Sequence, residues 1–199
     1  AYKKAISLNG NFTEAFSNLS TVFEKTGNFD EALNAVSNAI TLSPHNAQAQ
    51  NNKGVILQAM QRYDEAKLAY EKAIQIDQVF ADAIYNIGEL YLEEGNWQEA
   101  SVRYKRVLEI QPDSAAALYG LGKCYMKLGK KDLASINFEK SKVLDTENVL
   151  GNDLQLALMN KEHVPNKTPE NYLKDFYRKK SKTWGKEKGI NYQGHAIIE

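Results

Sequence analysis

The chain has 199 residues, about one domain and a small extra piece at roughly 150 residues per domain. A hydrophobic fraction of 43% is enough to build a core and excludes a wholly disordered chain, and a mean hydropathy of −0.53 argues against a membrane protein. Lys and Arg number 25 and Asp and Glu 25, so the net charge is zero and the basic excess of a general nucleic-acid binder is missing.

Read from the start, the sequence repeats itself every 34 residues. Small residues recur at Ser20, Gly54, Gly88 and Gly122, and again at Ala32, Ala66, Ala100 and Ala134. Bulky residues recur at Val36, Tyr70, Tyr104 and Phe138. Phe29, Tyr63 and Trp97 form another set, which Lys131 breaks. Further sets are Ala39, Ala73, Val107 and Ser141, and Pro44, Gln78, Pro112 and Thr146. Fixed self-similarity of this length is the signature of a stacked-repeat architecture. Four full units follow, at 13–46, 47–80, 81–114 and 115–148. Tyr2 and Ala5 fall in register with Tyr70 and Ala73, so residues 1–12 read as the second helix of a truncated preceding unit.

This pattern resembles the tetratricopeptide repeat. The resemblance implies an all-α fold: a right-handed superhelix, or α-solenoid, of antiparallel helix pairs. In each unit helix A and helix B meet at a tight turn such as Thr26-Gly27-Asn28 or Glu94-Gly95-Asn96, where Gly suits the left-handed backbone ending helix A. Gly88, Gly122 and the alanine set let the helices approach closely, and the aromatics are expected to fill gaps between repeats. Pro44 and Pro112 stop helix B. Asp30-Glu31 and Asp64-Glu65 fall in first turns of B helices, where the helix dipole favours negative charge. No unit can bury its apolar face alone, so stability comes from stacking.

In such a superhelix the A helices line the inner groove. The sixth residue of each unit reads Asn18, Asn52, Asn86 and Gly120. An Asn amide both donates and accepts, so a row of them can pair with the backbone of an extended peptide. The row resembles the asparagine ladders of O-linked N-acetylglucosamine transferase and of kinesin light chain, with Gly120 ending it. The fifth residues are Ser17, Asn51, Tyr85 and Tyr119, and the ninth are Thr21, Val55, Glu89 and Lys123. The candidate groove residues are therefore Asn18, Asn52, Asn86, Asn51, Tyr85, Glu89, Tyr119 and Lys123. The groove is polar at its N-terminal end and more aromatic toward Tyr85 and Tyr119, a residue type that suits binding surfaces. The amides are expected to be solvent-exposed, so that replacing Asn52 and Asn86 together would cost no more than about 1 kcal/mol. A chaperone-tail clamp is excluded: its positions hold Ser17, Thr21, Asn52, Asp82 and Asn86, without the cations needed to pair a carboxylate.

After Asn148 the register is lost. Residues 149–160 read as a capping helix with Val149, Leu150, Leu154, Leu158 and Met159 apolar, covering the last B helix. Residues 161–199 form a tail or junction segment, with a loop holding Pro165 and Pro169. A helix over 170–182 follows, with Tyr172, Leu173, Phe176 and Tyr177 on one face and Arg178-Lys179-Lys180 behind. From residue 149 onward 9 Lys and Arg face 6 Asp and Glu, so the tail is +3 and the repeats −3. The basic run is expected to be a solvated helix face or a partner of the acidic repeats. The segment resembles the junction of bacterial proteins that fuse these repeats to an S-adenosylmethionine-dependent methyltransferase. The matching stretches are Asp153–Leu158, Pro169–Tyr177, Trp184 and Tyr192–His195, with Arg178 and Lys180 departing from it. That resemblance implies a catalytic domain beyond Glu199. No glycine-rich cofactor loop occurs within the chain.

Little else carries chemistry. His45, His163 and His195 have no ligand spacing, and no catalytic residue, metal site or cofactor is expected. The single cysteine, Cys124, shares register with Val22, Ile56 and Leu90 and reads as a buried small apolar residue. One cysteine and an opening AYKKAISLNG without a charged-then-apolar leader fit a cytoplasmic protein. The expected function is a non-enzymatic module whose groove binds an extended peptide or partner segment, with no nucleic acid or membrane involved and self-association possible through the open N-terminal unit. The alternative is the substrate-recognition half of a methyltransferase.

Overall fold

The computed structural model describes residues 13–147 and 149–159. Nine α-helices lie among them: α1 (Thr13–Lys25), α2 (Phe29–Leu42), α3 (Ala47–Ala59), α4 (Tyr63–Ile76), α5 (Ala81–Glu93), α6 (Trp97–Ile110), α7 (Ala115–Lys127), α8 (Lys131–Leu144) and α9 (Asn152–Met159). The first eight form four pairs. The truncated helix expected over 1–12 and the tail over 161–199 fall outside the described residues.

Local chemistry sets the helix ends. The side chains of Asn46 and Ser114 accept from the backbone N–H of Ala49 and Ala117, capping α3 and α7. Each A helix closes with the same backbone bond, from an N–H to the carbonyl five residues back: Asn28 to Phe23, Arg62 to Leu57, Asn96 to Tyr91, Lys130 to Tyr125. That closure needs one left-handed residue. Gly27, Gly95 and Gly129 supply it with φ of 77°, 79° and 73°, and in the second unit Gln61 takes the same position with φ of 60°.

Each A helix packs on its own B helix, each B helix on the next A helix, and each A helix also on the next A helix. Successive B helices have no comparable contact. The A helices are therefore on the inside of the curvature and the B helices on the outside, a right-handed α-solenoid. Within the second, third and fourth pairs a B-helix ring is wedged against a bare glycine. Tyr70, Tyr104 and Phe138 are completely buried. A methyl group added at Gly54 would stand 2.4 Å from the Tyr70 ring, and one at Gly122 would stand 2.7 Å from that of Phe138. The first unit has Ser20 and Val36 at these two positions, both fully buried: a smaller partner leaves room for a side chain.

Of the Phe29, Tyr63 and Trp97 set, Tyr63 is exposed and the other two are half-buried, and the Trp97 ring meets the next unit, with Lys127 Nζ 5.6 Å from its centroid. One expectation is corrected. The last helix begins at Asn152, not Val149. The Asp145 carboxylate accepts from the backbone N–H of Val149 at 3.0 Å and Leu150 at 2.8 Å, tying this stretch into a turn that Gly151 completes at φ 77°. Leu156 and Met159 pack into the core, while Val149 and Leu158 stay exposed. Helix α9 packs on α8.

The left-handed Gln61 gives a test. A residue with a Cβ costs about 1–2 kcal/mol there, so Gln61→Gly is expected to raise stability by about 0.5–1 kcal/mol after the entropy cost of Gly. The urea midpoint reads it, and a lowered midpoint would contradict the strain.

Candidate functional site

Helices α1, α3, α5 and α7 line the inner face and carry every candidate groove residue. Asn18 is exposed, and Asn52 and Asn86 are half-buried. The two half-buried asparagines are not free ends. Asn52 Nδ2 donates to Ser17 Oγ at 3.1 Å, and Asn86 Nδ2 donates to Asn51 Oδ1 at 3.0 Å. In both cases the sixth residue of one unit binds the fifth residue of the unit before. Gln48 Nε2 also donates to Asn52 Oδ1 at 2.8 Å. Asn51 itself is buried at 5% exposure, so it holds Asn86 in place and is not a groove contact. The expectation of freely exposed amides is therefore corrected for Asn51, Asn52 and Asn86. Period alone shows that these residues share a face; it does not show that neighbouring units are close enough to bond.

The C-terminal half of the inner face is a different environment. The Tyr85 ring leans on Tyr104, centroids 5.6 Å apart, and Tyr119 leans on Phe138 at 5.5 Å. Tyr104 donates its hydroxyl to Glu89 Oε1. Lys123 Nζ lies 3.9 Å from the same oxygen and 5.2 Å over the Tyr119 ring. Gln155, from α9, donates to the Tyr119 hydroxyl at 3.4 Å. Burial, and then the Glu89 charge, raise the titration of Tyr85 and Tyr104 far above the usual phenol range, so both stay neutral donors. The structure thus gathers Tyr85, Tyr119 and Lys123 around the Glu89 carboxylate. It adds Tyr104 and Gln155, which the sequence pattern assigns to the core and to the cap.

Gly120 explains why the ladder stops. A Cβ there would stand 2.6 Å from the Tyr104 ring, which is buried between Gly120 and Gly88. The position that would carry a fourth asparagine makes way for the ring whose hydroxyl reaches Glu89.

Cys124 is fully buried, and burial pushes its thiol up to about 12, the profile of an inert core residue. Among the described residues no cluster of His, Cys, Asp and Glu could hold a metal ion, and no helix is long and apolar enough to cross a membrane. His163, His195 and most of the methyltransferase-like junction lie outside the described residues; Asp153–Leu158 falls in α9.

Four stacked helix pairs with the A helices along one inner face define a helical-repeat interaction scaffold. Family models agree: a tetratricopeptide-repeat model matches residues 13–46 and 115–148, a second matches 47–78, and a TPR-repeat model matches 88–129. The chain belongs to the tetratricopeptide-repeat family. Among solved structures it is similar to MamA, with 25% identity over 74% of this chain and 86% of that one and a TM-score of 0.65. It is also similar to PilF of Pseudomonas aeruginosa, with 24% identity over 77% and 71% of the two chains and a TM-score of 0.70. A thermophilic TPR protein of Thermus thermophilus matches at 18% identity over 79% and 86%, with a TM-score of 0.66. A comparison with curated proteins gives no match.

Two outcomes follow from this packing. Asn86→Ala strips the buried Asn51 amide of its partner and is expected to cost about 1–3 kcal/mol, read as a lower urea midpoint; an unchanged midpoint would deny the inter-repeat bond. Gly120→Ala is expected to cost about 1–3 kcal/mol through overpacking, and Tyr104→Leu in the same chain should recover part of that loss. A strictly additive pair of costs would deny the contact.

Proposed function

We propose that the inner face holds an extended segment of a partner protein by its backbone, along Asn18, Asn52 and Asn86. In this reading side-chain selectivity enters at the end lined by Tyr85, Glu89, Tyr119 and Lys123. The observation that supports it is the state of the ladder amides. Asn86 donates one N–H to Asn51, and its Oδ1 has no hydrogen-bond partner among the described residues. An amide has two donors and two acceptor sites, so a peptide unit can still pair with it in both senses. The bond to the preceding unit also fixes the amide plane, so little side-chain entropy remains to be lost on binding. Asn52 is held the same way by Ser17, and Gln48, which caps its oxygen, is exposed and able to yield. The Asn18 side chain makes no hydrogen bond among the described residues and is the clean position to probe.

The test is a display screen of linear peptides against the full chain, with Asn18→Ala and Tyr119→Ala alongside. Asn18→Ala is expected to leave the thermal midpoint unchanged and to weaken selected peptides about 5–10-fold, or about 1–1.4 kcal/mol. N-methylating the peptide at alternate residues should abolish binding, whereas changing side chains there should not. Binders that ignore both Asn18 and N-methylation would show that the groove does not read backbone.

A further inference from the structure

The outer face carries a feature that the groove reading does not use. Between α4 and α6, where the B helices of the second and third units diverge, a cleft of about 410 Å³ opens. This is within the range of ligand sites, roughly 300–1,000 Å³, and enough for a few side chains. Its walls are apolar at Ile74, Ile84 and Val102 and cationic at Arg103, Lys105 and Arg106. Arg106 is paired with Glu109 at 2.7 Å. Arg103 and Lys105 have no carboxylate partner among the described residues, and Arg103 Nε is buried without a hydrogen-bond acceptor. The Arg103 guanidinium carbon lies 5.8 Å from the Tyr91 ring centroid and Lys105 Nζ 5.7 Å from that of Tyr125. A buried donor left unmet forfeits the hydrogen bond it would make to water, so a partner that supplies an acceptor gains by meeting it.

Charge makes the cleft distinctive. Residues 1–148 carry a net −3, yet this one cleft gathers three cations against a single, already paired, carboxylate. Its surroundings are sticky as well. Leu68, Val102 and Ile136 occupy the same place in successive units and are 65%, 53% and 50% exposed, whereas the first unit has Asn34 there. A row of large apolar side chains held in solvent beside unpaired cations suits a ligand that is itself apolar and acidic.

We propose that the outer cleft between α4 and α6 is a second docking site, for a partner segment in which a carboxylate side chain is flanked by aliphatic or aromatic residues. The carboxylate takes the unpaired donors of Arg103 and Lys105, and its apolar neighbours cover Ile74, Val102 and the exposed row. Arg is suited to this because its planar fork meets a carboxylate with two parallel bonds. The site is independent of the inner groove, and a scaffold with both would hold two segments at once.

The probe is an array of linear peptides with Asp or Glu fixed at the centre and Leu, Ile or Phe on both sides, beside a matched array with Gln at the centre. The full chain is expected to bind the acidic array, and affinity should fall as NaCl rises. Lys105→Gln, an exposed change, and Arg103→Gln should each weaken binding about 10-fold, while Asn18→Ala and Tyr119→Ala leave it unchanged. Equal binding of the two arrays, or loss only in the inner-face variants, would overturn the proposal. So would sedimentation showing that the chain dimerises and that Lys105→Gln abolishes the dimer, since the occupant would then be a second copy. Failure of the inner-face peptides alone would bear on the groove and leave this site standing.

Discussion

The stack depends on one contact repeated along it, a large buried ring pressed on a residue with no side chain. Tyr70 on Gly54, Tyr104 on Gly88 and Phe138 on Gly122 fix the distance between the two helices of a pair. Helices this close leave no gap wider than a ring, so the ring must be completely dehydrated, and all three are. The apolar area it buries is what a helix pair gains by pairing. Everything further out, including the inner groove and the outer cleft, is positioned by that spacing. The first pair, with Ser20 and Val36, meets the same demand with smaller pieces.

Much of this was legible in the sequence because the constraint is local and periodic. The 34-residue register is enough to place Gly54 and Tyr70 on facing helices and Cys124 in the core. What the register hides is anything that couples neighbouring units or breaks the period. The bonds from Asn52 to Ser17 and from Asn86 to Asn51 join residues 35 apart, one more than the repeat, so a column-by-column reading does not pair them. The start of α9 depends on one carboxylate, Asp145, bonding three groups beyond it, for which periodicity offers no signal. Gln61 holds a left-handed turn without the glycine that would have announced it.

Gly120 sits where these two kinds of information meet. Taken as a column, it is the missing asparagine of a ladder. In the fold it is the opening that lets Tyr104 lie between two units and give its hydroxyl to Glu89. The same substitution thus ends an amide row and begins an aromatic one, and the inner face changes chemistry at a single residue. The outer face changes too, from Asn34 in the first unit to Leu68, Val102 and Ile136 in the next three. Repeats that share a backbone thus differ on both surfaces, so the solenoid is not uniform along its length.

The inter-unit amide bonds also share a sense. Each runs from the sixth residue of a later unit to the fifth residue of the one before. The Nδ2 donors of Asn52 and Asn86 therefore both turn toward the preceding unit, like arrows on a one-way street. A polypeptide chain is itself polar, with its N–H and C=O groups in fixed order. Two such vectors laid side by side do not superimpose when one is reversed, so the two directions along the inner face are chemically inequivalent.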